Sequence, residues 1–318
     1  MKKPEIPQNE QFRLKTLRSL DVLDTPPEER FDRLTRLAKR MFGVPIALVS
    51  LVDENRQWFK SRIGLDASEA SRDISFCGHA ILGDEVFIVP NALEDQRFAD
   101  NPLVSSDPNI RFYAGCPLSL NGHKLGTLCI IDQKPRSLDK EDIEALKDLA
   151  SMVERELAAF QLATSDELTN ISNRRGFMLL AQHSLNLCTR QNIPAVLAFL
   201  DMDKLKLIND KFGHAEGDQA LITFAHLMKS TFRNSDIFAR LGGDEFVVLL
   251  TNTPKEQLEE ILEKFNHSLK KHNQETNRGY DIAFSHGIVE FRPEKHPAIE
   301  ELLADGDTMM YEAKRTKR

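Results

Sequence analysis

The chain has 318 residues, of which 42 are Lys or Arg and 49 are Asp or Glu, for a formal net charge of -7. That length carries two domains of ordinary size, and the acidic balance excludes a general nucleic-acid binder, which needs a basic stripe. Residues 1–12 are polar where a signal peptide needs an apolar core, and the longest apolar runs, such as residues 44–52, are too short to cross a bilayer; a cytoplasmic protein with no membrane or nucleic-acid partner is expected. Over residues 8–20 the apolar positions Phe12, Leu14, Leu17 and Leu20 suggest a short amphipathic helix. A second helix is signalled by Thr25-Pro26-Pro27-Glu28, with a capping hydroxyl, a proline in the first turn and a glutamate three residues after the cap, and it should stop at Gly43. Residues 44–52 and 57–63 flank the polar turn Asp53-Glu54-Asn55-Arg56 as an antiparallel pair. Residues 110–120 and 125–132 flank Asn121-Gly122 as a hairpin. Strand pairs interleaved with helices give an α+β domain over residues 1–137.

This part resembles a GAF domain through residues 42–50 (Phe-Gly-Val-Pro-Ile-Ala-Leu-Val-Ser), Trp58-Phe59-Lys60-Ser61, residues 73–80 and Gly126-Thr127-Leu128. The resemblance implies an antiparallel sheet with helices and a pocket for a small ligand of unknown identity, with Trp58, Cys77 and His79 as candidate lining residues. The NKxxF…DE pattern of members that bind cyclic nucleotides is missing. Cys77, Cys116, Cys129 and Cys188 are widely separated without a CxxC pair, and read as buried reduced thiols, with a redox sensor at Cys77 as the alternative.

Residues 138–163 change period. Ile143, Leu146, Ala150, Val153, Leu157, Phe160 and Thr164 recur at spacings of three and four, the pattern of a coiled-coil seam, so a helical linker forming a parallel dimer is expected; a single helix packed on its own domain is the alternative. Beyond it, over residues 164–318, helices are expected at 174–190, 204–212, 218–231 and 254–271, with a last helix near the C-terminus. Strands are expected at 193–200 and 281–291. Between them, residues 239–250 read as a hairpin about Gly242-Gly243, with Asp244 and Glu245 at its tip. The strand at 193–200 ends in Asp201-Met202-Asp203. Carboxylates at a strand end beside carboxylates at a hairpin tip suit Mg²⁺ and a nucleoside triphosphate, because hard cations take carboxylate oxygens and leave room for phosphate.

Several motifs stand in order here: Asp166-Glu167-Leu168-Thr169 with Asn173-Arg174-Arg175, Asp201-Met202-Asp203, Ile208-Asn209-Asp210 with Gly213-His214 and Gly217-Asp218, the run Gly242-Gly243-Asp244-Glu245-Phe246, and residues 307–314. Together they resemble the GGDEF family of diguanylate cyclases across about residues 163–318. The resemblance implies a palm-like nucleotidyl cyclase domain that joins two GTP molecules into cyclic di-GMP. It implies Mg²⁺, with Mn²⁺ as a substitute, held by Asp201, the main-chain carbonyl of Met202 and Asp244. Glu245 is the candidate for handling the 3′-hydroxyl proton, and Asp203 is read as a helix cap. Asn209 and Asp218 would read guanine, whose N1–H and amino group suit a carboxylate acceptor. Lys314 and Arg318, with Lys206 as a weaker candidate, would hold the phosphates. Asn170 stands where the family has glycine, and Lys317 stands where it has another.

Arg233-Asn234-Ser235-Asp236 matches the family's RxxD inhibitory site, which implies that cyclic di-GMP binds Arg233 and Asp236 as a feedback inhibitor. Gly242 stands six positions after Asp236, about 20 Å of extended chain, so this site is distinct from the active site of its own subunit. A two-fold product implies that two GTP-loaded sites face each other in a homodimer. The rival reading is a non-catalytic cyclic di-GMP receptor that uses only Arg233 and Asp236.

Overall fold

The structure is a computed structural model that describes every residue except 234, 317 and 318; Arg318, expected at the phosphates, therefore lies outside the described residues. The chain divides into two compact units, residues 1–161 and 162–318. No described helix is long and apolar enough to cross a membrane.

The first unit opens with α1 (Glu10–Arg18) and α2 (Glu29–Phe42), continues through β1 (Ile46–Val52), β2 (Arg56–Ile63), β3 (Glu69–Ser71), α3 (Phe76–Ala80), β4 (Phe87–Val89), α4 (Pro102–Ser105), β5 (Phe112–Leu120) and β6 (His123–Asp132), and closes on α5 (Lys140–Thr164). Its six strands form one antiparallel sheet in the order β3-β2-β1-β6-β5-β4. Alternation along β1 sends Ala47, Val49 and Leu51 to the face covered by α1, α2 and α5, and Ile46, Leu48 and Val52 to the face covered by α3. The start of α2 differs from expectation. Thr25 does not cap it, because its hydroxyl donates to the Val22 carbonyl and accepts from the Lys60 ammonium, and the helix begins only at Glu29.

The stripe along α5 also has a different use from the one its spacing suggested. Leu146, Ala150, Val153, Leu157 and Phe160 are all buried in the core beneath the sheet, beside Phe31, Leu34 and Ala38 of α2 and Ala47 and Val49 of β1. Contact surface spent inside one chain favours the alternative for residues 138–163, a single helix packed on its own domain, over a dimer seam. On the opposite face of the sheet lies a cavity of about 350 Å³, walled by Leu48, Gln57, Phe59, Cys77, Tyr113 and Ile131 among others. Cys77 is on its wall as expected. Trp58 is not, because strand alternation buries it on the α2 and α5 side, and neither is His79, whose Nε2 donates to the Lys2 carbonyl at 3.0 Å.

The second unit contains β7 (Ser172–Asn173), α6 (Arg174–Gln191), β8 (Ala195–Met202), α7 (Leu205–Phe212), α8 (His214–Thr231), β9 (Ile237–Gly242), β10 (Glu245–Thr251), α9 (Lys255–Thr276), β11 (Phe284–Glu290) and α10 (Ile299–Thr316). The sheet order is β11-β8-β10-β9-β7, antiparallel except for the short β7–β9 pair. Central β8 is buried along its whole length. Its even-numbered residues, Val196, Ala198, Leu200 and Met202, pack with residues of α7, α8 and α9. Its odd-numbered residues Leu197 and Phe199 pack with residues of α6 and α10. The two layers make an α+β sandwich with β8 at its centre.

Candidate active site

Strand register builds the site. Asp201, the last residue but one of β8, lies directly opposite Glu245, the first residue of β10, and the Met202 N–H donates to the Asp244 carbonyl at 2.9 Å. The acids at the strand end and those at the hairpin tip, 43 residues apart in sequence between Asp201 and Asp244, therefore meet at one edge of the sheet. Parity then fixes their direction: Asp201 follows Leu197 and Phe199, and Glu245 precedes Val247 and Leu249, all on the face covered by α6 and α10. From α10, the Lys314 ammonium reaches Asp201 Oδ1 at 2.5 Å.

The electrostatics are those of crowded acids. Burial pushes the Asp201 carboxyl above its ordinary pKa, with Asp244 and Asp203 adding repulsion and Lys314 opposing it. Burial also raises Glu245, reinforced by Asp307, Asp244 and Asp201 and countered by Arg174. A cluster that disfavours its own ionisation is one that an added cation stabilises. Among the described residues no group of three His, Cys, Asp or Glu side chains is arranged to hold a metal. The expected donor set has only two side chains, Asp201 and Asp244, with the Met202 carbonyl as its third member, and the carboxylate crowding at this edge fits a hard divalent cation.

The tip is held by a residue that the motif reading passed over. Gly242 (φ 152°) and Gly243 (φ 52°) provide backbone angles that side chains resist, and the two turn residues are Gly243 and Asp244, one place later than the glycine pair suggested. Arg240 then donates from Nε and Nη2 to the Gly243 carbonyl at 3.0 and 2.9 Å, and from Nη1 to Asp166 at 3.1 Å. Asp166 in turn accepts from the backbone N–H and the hydroxyl of Thr169, closing a turn in which Asn170 takes a left-handed angle (φ 54°). The Asp166–Thr169 motif is thus a brace for the hairpin. A lone arginine two residues before a glycine pair gave no signal of this role.

Asn209 on α7 and Asp218 on α8 belong to helices that pack on each other, and Asn209 Oδ1 lies over Gly217, so close that a Cβ there would stand 1.8 Å away. The expected base-reading pair is therefore adjacent, with Asp218 exposed. Lys206 is exposed on the first turn of α7. Asp203 is not a cap: its carboxylate accepts from Ser285 Oγ at 2.8 Å, and the residue before α7 is Lys204 in a left-handed conformation. Arg233 and Asp236 pair with each other at the far end of β9 from the tip, Asp236 Oδ2 accepting from the Arg233 N–H at 2.8 Å, while the Arg233 residue stays exposed. Arg174 and Asp307 face Glu245 without having been assigned a part in the site.

The diguanylate cyclase GGDEF-domain model matches residues 163–318 and the GAF-domain model matches residues 26–157. Diguanylate cyclase DgcP of Escherichia coli is 30% identical over 265 residues, covering 78% of this chain and 76% of its own. The chain belongs to the GGDEF diguanylate cyclase family. A cyclic di-GMP phosphodiesterase of Pseudomonas aeruginosa is 32% identical over 267 residues, covering 82% of this GAF–GGDEF chain but only 45% of its own length. Among solved structures, the GGDEF domain of DgcB from Caulobacter crescentus, in complex with c-di-GMP, is 27% identical, with a TM-score of 0.46 over 49% of this chain and 92% of that one. GGDEF diguanylate cyclases depend on divalent metal, which agrees with the acid-rich edge described above.

Proposed function

We propose that this GAF–GGDEF protein is an active diguanylate cyclase that condenses two GTP molecules into cyclic di-GMP. The observation that carries the reading is the register that sets Glu245 opposite Asp201 at the edge where the hairpin tip ends. Each ribose 3′-hydroxyl oxygen attacks the α-phosphorus of the other GTP, the bond to the β-phosphate breaks, and pyrophosphate leaves. Asp201, Asp244 and the Met202 carbonyl would hold Mg²⁺, or Mn²⁺ as a substitute, which would supply charge neutralisation for the triphosphate. Glu245 takes or orients the hydroxyl proton. Lys314, Arg318 and Lys206 hold phosphate oxygens, and Asp218 with Asn209 accepts from the guanine edge, which selects GTP over ATP.

The product's two-fold symmetry calls for a homodimer of catalytic domains, residues 164–318, each bringing one GTP. Such a dimer does not draw on the buried α5 stripe, so the helical segment at residues 138–163 acts as a connection from the GAF domain and not as a zipper. Arg233 grips phosphate and, with Asp236, binds cyclic di-GMP as a feedback inhibitor. A small ligand in the GAF cavity regulates the output, and GTP as substrate places the protein in the cytoplasm.

The test is to incubate the purified full chain with Mg²⁺ and GTP or ATP and identify the product by mass. Cyclic di-GMP from GTP alone, lost in Asp244→Asn, supports the reading; binding of cyclic di-GMP with no turnover of GTP would instead make the protein a receptor. In Arg233→Ala, initial rates should match the parent while inhibition by added cyclic di-GMP weakens by about tenfold or more.

A further inference from the structure

The core on the cavity side of the GAF sheet contains a group of polar and sulfur-bearing side chains that the catalytic reading does not use. Cys77, in the first turn of α3, and Cys129, in the centre of β6, bring their sulfur atoms to 4.0 Å in full burial. Three hydroxyls surround them. Tyr113 O–H donates to Cys77 Sγ at 3.4 Å and lies 3.5 Å from Thr127 Oγ1, and Ser50, which pairs with Thr127 across β1 and β6, has a fully buried Oγ without a hydrogen-bond partner among the described residues. An apolar core gains nothing from three buried hydroxyls, and one left unsatisfied is destabilising. An anion at sulfur would satisfy all of them.

Their effect on the two thiols is unequal. The Cys129 S–H bond, aided by Thr127 and Tyr113 against the effect of burial, pulls the Cys77 thiol down, while the same bond and burial push Cys129 well above its ordinary value. One sulfur is set up as a nucleophile and its neighbour as a proton-bearing partner. Cys77 also forms part of the wall of the 350 Å³ cavity, which gives a small oxidant a place beside it. The other two cysteines lack these features: burial pushes Cys116 up to about 11, and Cys188 lies in the other unit.

We propose that Cys77 and Cys129 are a redox-active dithiol, in which a small hydroperoxide admitted by the cavity oxidises Cys77 and Cys129 closes an intramolecular disulfide. The Cys77 thiolate attacks a peroxide oxygen, the O–O bond breaks, and the hydroxide or alkoxide leaves with a proton as water or alcohol, giving a sulfenic acid. Cys129 sulfur then attacks the Cys77 sulfur, the S–O bond breaks, and the hydroxyl leaves as water with the Cys129 proton. The two sulfurs supply the two electrons that reduce the peroxide. Closure brings the sulfurs from 4.0 Å to about 2.0 Å, a displacement shared between the five-residue helix α3 and the strand.

The experiment treats the full chain with hydrogen peroxide, denatures it in an alkylating agent, and maps cysteines by mass spectrometry. The expected result is a mass decrease of two hydrogens, a Cys77–Cys129 cross-linked peptide, loss of alkylation at those two positions only, and reversal by dithiothreitol. In Cys129→Ala, dimedone should trap a sulfenic acid at Cys77. The wild-type measurement needs no variant to fold. Full alkylation of both cysteines after peroxide would overturn the proposal. So would a sulfinic acid at Cys77 with Cys129 still alkylated, or a disulfide only between chains.

Discussion

Gly217→Ala separates folding from catalysis, because helix preference and the proposed contact of Asn209 with guanine give the two opposite signs. A Cβ at position 217 would stand 1.8 Å from Asn209 Oδ1 and 2.9 Å from its Cγ. The obstructing atom is the end of a side chain that can rotate away, so α8 keeps its backbone and gains the alanine preference of a helix interior, about 0.5–1 kcal/mol. The displaced amide can no longer reach a guanine placed over Asp218. One lost hydrogen bond, leaving the base edge unpaired, is worth about 1–2 kcal/mol, or roughly 5- to 30-fold in kcat/KM for GTP. Initial rates of pyrophosphate release, with thermal unfolding run in parallel, measure both. Asn209→Ala should show a similar kinetic loss, and Gly217→Ala in that background should add nothing, since the two changes remove the same contact. A Gly217→Ala protein with parental kcat/KM, or a double variant whose losses add, would refute the claim that Gly217 acts by leaving room for Asn209.

Arg240→Lys keeps a positive charge near Asp166 but cannot deliver two parallel N–H groups to the Gly243 carbonyl, so turnover should fall by about tenfold while stability in denaturant drops by about 1–2 kcal/mol; an unchanged kcat would show that the tip needs no brace. In the GAF domain, burial would raise the Glu10 carboxyl, but hydrogen bonds from Arg13 and Arg72 hold it at about 2, below the ordinary 4.5. Because the folded-state pKa is depressed, this contribution is complete above 4.5 and is lost as the pH falls toward 2. The full shift would be worth about 3 kcal/mol, reduced by partial solvent access to about 1–2 kcal/mol. Glu10→Gln should cost that amount at pH 7 and flatten the acid limb between pH 4.5 and 2; equal slopes in the two proteins would refute it. Leu157→Ala should destabilise the first unit by about 2–5 kcal/mol, as a buried core leucine does, with the association state measured by light scattering unchanged below the melting temperature. Dimer loss without a stability loss would restore the seam.

What could be read from residues alone was whatever chemistry and strand register fix together. The β9–β10 hairpin and the face of each residue were legible, because a tight turn leaves antiparallel pairing few registers and alternation decides the face, whereas the β8–β10 pairing that sets Asp201 opposite Glu245 joins strands that are not consecutive and no turn fixes it. The turn was misplaced by one residue, since Gly242-Gly243 and Gly243-Asp244 both satisfy the angles a two-residue loop needs. Thr25 has every local property of a cap, yet Lys60, 35 residues away, competes for its hydroxyl. Glu10, Arg13 and Arg72 escaped notice because a reading of amphipathic spacing counts apolar residues, and a buried arginine on a helix looks like a solvated one until its partners are known.

The stripe on α5 shows the same limit in its sharpest form. Residues at spacings of three and four state that one side of a helix is covered, and the spacing is alike whether the cover is a second helix of another chain or the helices and sheet of its own. Only the size of the opposing surface distinguishes them. Here β1, β5 and β6 present Ala47, Val49, Phe112, Ala114 and Leu128 toward α2 and α5, and without Leu146, Val153 and Leu157 the part of that apolar face that α2 leaves open would be bare. The sheet's own alternation, visible in the sequence at residues 44–52 and 110–132, therefore already required a covering helix. Weighing the uncovered face of the sheet against the uncovered face of the helix would have favoured the intrachain packing over the dimer.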